Sequence, residues 1–350
     1  LRSQIMHMLK TLKTSDREMH YFYGARAIDE VFFMEDFLEL EKEFPNFKFK
    51  ASGKFKVLQF TDTHYIAGNP KSPRALQNVR EMLDTERPDL VIHTGDVIFG
   101  QPAEQSFREI LAPLSERKIP FAIAFGNHDE ECGISRKEAL DLIRTLPYNI
   151  NTPEKGITGM TNDVITLSSR DGKLQRLFYL FDSGNHVKTI KNYEGYDFIH
   201  FDQIAWYRKL SAEITKQNGG TPVPALAFMH IPVYEYNQAF SDYVNAKVYG
   251  TYREHPCSPS LNSGLFASAL EMGDIKAFVS GHDHNNDYAM FWNRMFLIYG
   301  RYSGCDTVYN DLKPNGARVF EFTEGKEGFR SWIRLNGGEK TQDLRFPEDF

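Results

Sequence analysis

Five short polar clusters carry the residues best placed to do chemistry in this chain. They are Asp62-Thr63-His64, Gly95-Asp96, Gly126-Asn127-His128-Asp129, His230 and Gly281-His282-Asp283-His284, and each ends an apolar run. Carboxylates, a carboxamide and imidazoles form a mixed oxygen and nitrogen donor set, the kind that holds divalent transition metals. Phosphate-ester hydrolysis needs such a set. Two ions roughly 3.5–4 Å apart hold a shared hydroxide and clamp the oxygens of an in-line displacement. Taken singly, each cluster has a plain reading: Gly-Asp after a strand is commonly a turn, and a lone His230 is commonly a hydrogen-bonded or surface residue. Gly-Asn-His-Asp and Gly-His-x-His are more pointed, because glycine frees the backbone to aim its neighbours. The conjunction of five, each at a strand end, predicts convergence on one dinuclear hydrolytic centre.

Strand-like runs must deliver these clusters. Phe55–Phe60 leads to Asp62, Leu90–Ile92 to Asp96, Ile119–Phe125 to Asn127, Ala225–Met229 to His230 and Ile275–Ser280 to His282. Helical patterns at Ala75–Thr85 and around Phe107–Leu114 separate the first three, the rhythm of an α/β sheet with its chemistry at the carboxyl ends of strands. Further on, Arg136–Thr145, Phe201–Gln217 and Leu265–Met272 read as helices. Asp163–Ser169 and Leu174–Asp182 flank Asp171-Gly172 as a hairpin. Short strands are expected at Tyr288–Phe291, Met295–Tyr299, Ala317–Phe322 and Phe329–Leu335. The fold class is α/β, with mixed α+β character: two packed mixed β-sheets flanked by helices, an αββα sandwich. The stretch from Pro232 to Ser263 reads as a loop rich in tyrosine (Tyr234, Tyr236, Tyr243, Tyr249, Tyr252) that either lines a substrate groove or packs inward. Residues 1–52 read as an αβαβ appendage, with helices over 1–17 and around Val31–Glu41 and strands at Met19–Tyr23 and Phe47–Lys50. Ala51-Ser52-Gly53 is the junction to a second unit, 53–350.

The totals exclude several classes. With 350 residues, 41% hydrophobic and 14% aromatic, the chain can bury a sizeable core. A net charge of −6 argues against a nucleic-acid surface. No apolar run approaches the roughly 18 residues of a membrane span. Cys132, Cys257 and Cys305 are odd in number and lack Cys-x-x-Cys spacing, so neither a disulfide framework nor a thiolate site is expected. No targeting segment is visible, although the start is not an initiator Met, and the cytoplasm is the expected compartment.

In this order the clusters resemble the calcineurin-like metallophosphoesterase superfamily, over about residues 54–335. The stretches Phe60-Thr61-Asp62-Thr63-His64, Phe181-Asp182-Ser183-Gly184, Met229-His230-Ile231-Pro232 and Gly300-Arg301-Tyr302-Ser303-Gly304 are similar to the subgroup related to purple acid phosphatases and Dcr2-type phosphatases. The resemblance implies that Asp62, His64 and His284 bind one metal ion and that Asp96 bridges two. Asn127, His230 and His282 would complete the second site. His128 would meet the substrate, stabilising the transition state or protonating the leaving oxygen. Asp129 is either an orienting partner of His128 or a helix N-cap. Purple acid phosphatases carry a metal-binding tyrosine three residues after the Gly-Asp aspartate; here Phe99 stands there, so the tyrosinate-to-iron colour should be absent and His64 takes the vacant position. Two divalent or trivalent ions of Mn, Fe, Zn or Co would suit these ligands. Asp182-Ser183-Gly184-Asn185-His186 is read as structural support near the site, and His93 as a buried, hydrogen-bonded histidine.

The expected activity is hydrolysis of phosphate esters, phosphomonoesters first, by a hydroxide bridging two metals. Phosphodiesters or nucleotides on the same site are the alternative, with a small phosphorylated molecule as partner. Residues 1–50 resemble a fragment of the NADH-binding lobe of the flavin subunit of the sodium-translocating NADH:quinone reductase, notably around Tyr23-Gly24-Ala25-Arg26. The Gly-rich turn, flavin and iron–sulfur regions of that family are missing here, so a pyrophosphate would lack its cradle of backbone N–H groups. These residues are therefore read as a fusion remnant or junction with no redox role; an NADH-linked electron-transfer component is the alternative from another class, and a non-catalytic metal-binding interaction module is a third.

Overall fold

The computed structural model describes residues 53–350, apart from 170, 171 and 243, together with two short strands, β1 (Met19–Phe22) and β2 (Phe47–Lys50). These two strands pair in parallel, as the αβαβ reading requires. The helices expected at 1–17 and 31–41, the junction residues Ala51 and Ser52, and Tyr243 lie outside the described residues.

β3 (Lys54–Phe60), β4 (Leu90–His93) and β5 (Phe121–Ile123) run parallel, α1 (Pro73–Glu86) and α2 (Ala103–Glu116) carry the chain between them, and α3 (Arg136–Ile143) follows β5. Parallel neighbours need such crossovers. Antiparallel β13 (Gly316–Thr323), β14 (Phe329–Leu335) and β15 (Lys340–Phe346) extend this sheet in the order β15-β14-β13-β3-β4-β5. The second sheet is built from β6 (Asp163–Ser168), β7 (Leu174–Leu180), β8 (Ala225–Phe228), β9 (Lys247–Tyr249), β10 (Ile275–Ser280), β11 (Ala289–Trp292) and β12 (Met295–Tyr299). Its order is β6-β7-β8-β10-β12-β11-β9, with a parallel centre and antiparallel edges.

Alternation along the strands builds the layers. In β3, Leu58 and Phe60 face α1 and α2 in a core with Val79, Met82, Phe107 and Ile110, while Phe55 and Val57 face the other sheet. In β8, Leu226 and Phe228 point between the sheets, and Ala225 and Ala227 point outward to a core with Ile204 and Tyr207 of α4 (Phe201–Gln217) and Leu265 of α6 (Leu265–Met272). Aromatic pairs close the middle layer, Phe55 to Phe178 at 6.2 Å and Phe228 to Phe320 at 5.8 Å between centroids. Helices, two sheets and helices therefore stack as an αββα sandwich, as expected from the sequence.

Three expectations change. The run Ile119–Phe125 is strand only over Phe121–Ile123, because the chain then bends into the loop that carries Asn127. The tyrosine-rich stretch is not one loop: it contains α5 (Glu235–Ser241) and edge strand β9. Tyr236 is fully buried, its hydroxyl tied to the carbonyls of Phe278 (2.9 Å) and Ile298 (3.0 Å). Tyr249 meets the Asp349 carbonyl, and Tyr252 stacks on Phe240 at 3.7 Å, so these tyrosines pack inward. β15 was not expected, since an edge strand written in charged residues carries little apolar signal.

Candidate metal centre

The five clusters meet at one end of the sandwich. Loops after β3, β4 and β5 bring Asp62, His64, Asp96 and Asn127 from the first sheet; loops after β8 and β10 bring His230, His282 and His284 from the second. Backbone bonds continue the ladders past the strands: Asp62 N–H donates to Gly95 O (3.0 Å), His64 N–H to Asp96 O (3.0 Å) and Gly281 N–H to His230 O (3.1 Å). Four of the seven candidate ligands, Asp62, His64, Asp96 and His282, hold positive φ values of 55°, 43°, 52° and 78°. A non-glycine residue there costs on the order of 1–3 kcal/mol, and such strain concentrates at functional sites. Two glycines allow the loops to touch. A Cβ on Gly126 would sit 2.2 Å from Asp96 Oδ1, and one on Gly281 would sit 1.8 Å from Thr61 Oγ1.

Two buried donor groups result, Asp62 with His64 and His284, and Asp96 with His230 and His282. Within each group the donor atoms lie within 4.8 Å of one another. Asp96 reaches both: its Oδ2 lies 3.1 Å from His230 Nε2 and 3.6 Å from His64 Nε2. Asn127 Oδ1 lies 3.1 Å from His230 Nε2. The backs of two rings are fixed by carbonyls, His230 Nδ1 by Thr94 O and His284 Nδ1 by Tyr309 O, each at 2.8 Å. A carbonyl can only accept, so both rings carry Nδ1–H and turn Nε2 inward, the usual way a ligating histidine is held. His64 Nε2 faces His284 Nε2 at 3.1 Å, and His282 Nδ1 faces His230 Nε2 at 3.2 Å. The Nε2 atoms of His284 and His230 therefore point into the centre, where a cation can take the place of a proton. Thr61 Oγ1 donates to Asp62 Oδ2 at 2.6 Å and fixes that carboxylate.

Charge follows the same pattern. Burial alone would push the Asp62 and Asp96 carboxyls up. The imidazoles of His284, His64 and His230 instead hold Asp62 well below the usual range, and His230 does the same for Asp96. Burial pushes His64 down and His282 down to about 3, so both offer neutral rings. His230 goes the other way, up to about 9, because the Asp96 carboxylate outweighs its burial. Two ionised carboxylates, the neutral rings of His64 and His282, and the rings of His230 and His284, whose proton a bound cation would replace, fit a pair of transition-metal ions with no sulfur among the donors.

His128 stands beside both groups. Its ring centroid is 5.5 Å from that of His64, its backbone N–H donates to Asp96 Oδ1 (2.9 Å), and its side chain is 30% exposed. The expected link to Asp129 is corrected by the geometry. Asp129 is buried and accepts the N–H groups of Gly126 (2.8 Å), Asp96 (3.0 Å), Val97 (2.8 Å) and Ile98 (3.3 Å), so it ties two loops together and neither orients His128 nor acts as an N-cap. The carboxylate facing His128 Nδ1 is Glu131, at 2.5 Å. Phe99 packs edge-on against both His64 (5.4 Å) and His128 (4.9 Å), so a phenyl ring does occupy the position at issue. Asp182 pairs with Arg136 at 3.1 Å and Ser183 Oγ accepts the Ile231 N–H at 3.0 Å, which is structural support. His93 is buried, with Nε2 3.0 Å from Thr63 Oγ1. Glu131, Thr61 and the Tyr309 carbonyl escaped sequence reading. The spacing of Glu131, three residues after His128 on one helical turn, was the available signal.

The family model described as "Calcineurin-like phosphoesterase" matches residues 55–286. The chain is 31% identical over 286 residues to "Probable inactive purple acid phosphatase 29" of Arabidopsis thaliana, covering 72% of each chain. It is 29% identical over 324 residues to "Phosphatase DCR2" of Saccharomyces cerevisiae, covering 82% of this chain and 55% of that protein. In fold it is similar to a dimetal phosphatase from Danio rerio, with a TM-score of 0.58, 14% identity, and coverage of 83% of this chain and 98% of that one. A 52-residue stretch is 49% identical to one subunit of the Na(+)-translocating NADH-quinone reductase of Psychrobacter cryohalolentis, 15% of this chain and 12% of that protein. Among the described residues no helix is long and apolar enough to cross a membrane.

Proposed function

This chain belongs to the calcineurin-like phosphoesterase family, and on that premise we propose that it hydrolyses phosphate esters, phosphomonoesters first, at the seam between its two sheets. The observation that carries the proposal is the pair of buried donor groups joined by Asp96, with the partly exposed His128 beside them. The name of the Arabidopsis relative does not decide the matter for this chain. Here Phe99 replaces a phenol donor while His64 supplies an imidazole to the same group, so the donor count is kept.

In this reading Asp62, His64 and His284 would hold one ion, Asn127, His230 and His282 would hold the other, and Asp96 would be shared. When bound, the two ions supply a nucleophile at neutral pH and neutralise charge on phosphorus. The chain's own residues do the rest. Thr94 O and Tyr309 O keep His230 and His284 aimed, Thr61 fixes Asp62, and His128 gives a proton to the departing oxygen. The catalytic unit is residues 53–350. The likeness to the reductase subunit spans 12% of that protein, and no redox role is assigned to it.

Purified protein reconstituted with Mn²⁺ or Zn²⁺ is offered a panel of aryl and alkyl monoesters, diesters and nucleotides. Turnover abolished by chelator, and strongest on monoesters, is expected; preference for diesters or nucleotides moves the substrate class. Asp96→Asn should lose metal, and His128→Ala should keep metal and lose about 10²–10⁴ in rate. Full metal loading with no turnover on any member of the panel sinks the catalytic reading.

A further inference from the structure

An imidazole has two faces of rotation that differ only in which ring edge carries a nitrogen, and something must choose between them before His128 can deliver a proton. Phe99, edge-on at 4.9 Å, limits the ring but cannot tell Nδ1 from Cδ2. Glu131 can, because its Oε2 lies 2.5 Å from Nδ1. Its other oxygen is held in turn. Asn185 Nδ2 donates to Glu131 Oε1 and to Glu130 Oε1, each at 3.2 Å. Glu130 has cationic partners of its own, Lys188 Nζ at 3.1 Å and Arg136 Nε at 3.7 Å. Glu130 is thus engaged elsewhere, and the carboxyl group facing His128 is that of Glu131.

We infer that Glu131, steered by Asn185, is the positioning residue for His128, an assignment that rests on the phosphoesterase reading above. With Nδ1–H committed to Glu131, Nε2 is the nitrogen left to serve the substrate. As the bond from phosphorus to the leaving oxygen breaks, its electron pair goes to that oxygen, which takes the proton from Nε2. The neutral ring keeps its Nδ1–H on Glu131 and is reprotonated from solvent for the next turnover. Asn185 belongs to the segment Asp182–His186, which the metal groups leave otherwise without a share in the chemistry.

The test compares Glu131→Ala, Glu131→Gln and Asn185→Ala in the full, zinc-loaded chain. Removing a residue that orients a catalytic group typically costs 10–100-fold, so kcat on an alkyl phosphate should fall by about that factor in Glu131→Ala, with zinc content unchanged. Nitrophenyl phosphate, whose leaving group needs little protonation, should be far less affected, and Glu131→Gln should recover much of the loss because its carbonyl still accepts Nδ1–H. Asn185→Ala should show a weaker form of the same selectivity. An equal loss on both esters, or no loss, overturns the assignment. A readout independent of turnover is the two-bond ¹H–¹⁵N spectrum of the ring, assigned by difference from His128→Ala. Wild type should show Nδ1 protonated, and Glu131→Ala should shift toward the Nε2–H form. An unchanged ring pattern refutes the inference even if the enzyme proves inactive, whereas the expected pattern in an inactive enzyme sustains the orienting contact and rejects only the phosphoesterase reading.

Discussion

Replacing Gly281 by alanine should damage the centre without removing a single donor atom. Gly281 does not have a left-handed φ, so alanine is allowed by the backbone and the whole effect is contact. Its Cβ would lie 1.8 Å from Thr61 Oγ1, 2.8 Å from Asp62 Oδ2 and 3.0 Å from Thr61 Cβ. Thr61 is 1% exposed and has little room to retreat. Rotating its hydroxyl away gives up the bond to Asp62, worth about 1–3 kcal/mol when buried. Overpacking adds about 1–3 kcal/mol. The sum is about 2–6 kcal/mol of lost stability, and a carboxylate that has lost its hydrogen bond should bind metal about 10–100-fold more weakly. Urea unfolding of the metal-free chain and a zinc titration against a chromogenic chelator, run on one preparation, read both quantities. Thr61→Ala removes the atom struck at the closest approach, so the double substitution should cost less than the two single ones together, by on the order of 1 kcal/mol. If Gly281→Ala unfolds within about 0.5 kcal/mol of wild type and binds zinc equally, or if the two changes simply add, the turn is not packed as described.

Three further outcomes are expected. Glu86 is buried and accepts from Trp332 Nε1 (2.9 Å), Arg334 Nε (2.6 Å) and Lys56 Nζ (3.2 Å); burial would raise its carboxyl, but these partners hold it below the ordinary value. A depressed carboxyl stabilises the fold above its unfolded pKa and loses that contribution as pH falls through the folded one. Glu86→Gln should therefore cost about 2–3 kcal/mol near neutral pH, and its gap to wild type in urea midpoints should close as pH drops below about 4. Tyr236→Phe should cost about 1–3 kcal/mol by leaving backbone groups of Phe278 and Ile298 unpaired, with KM unchanged; a raised KM would return the tyrosine-rich stretch to the substrate groove. Iron-loaded protein should show no tyrosinate charge-transfer band, because Phe99 offers no oxygen, and a visible band of that kind would mean another phenol reaches the metals.

What the sequence reveals and hides has a physical pattern. The seven candidate ligands were legible because each follows an apolar strand, and strand ends leave a mark in period and composition. The same alternation exposed the two-sheet sandwich. Asp129 misled because adjacency to His128 in the chain does not fix which way a carboxylate points. The bend after Gly126 turns Asp129 into the protein, toward four backbone N–H groups, and puts Glu131 one helical turn away against the ring. α5 is seven residues long, too short for a helical period to show among polar and aromatic neighbours. Carbonyls such as Thr94 O and Tyr309 O carry no side-chain signature at all, and only the fold reveals them as the groups that set ring direction.

The donors come from both sheets, and Asp62 and His282 lie 220 residues apart in sequence. A pair of bound ions would therefore act as a removable crosslink between halves of the molecule that otherwise meet through side-chain packing and hydrogen bonds such as those of Gln59 and Arg318 to carbonyls of the other sheet. A disulfide spanning such a loop has a fixed strength; this one would be set from outside. At a free-ion level one hundred times the dissociation constant it adds about 2.7 kcal/mol, and it fades as the ion is withdrawn. Chelation should then loosen β3 and β10 together in hydrogen exchange, and the lifetime of the chain in a cell would follow the supply of its metal.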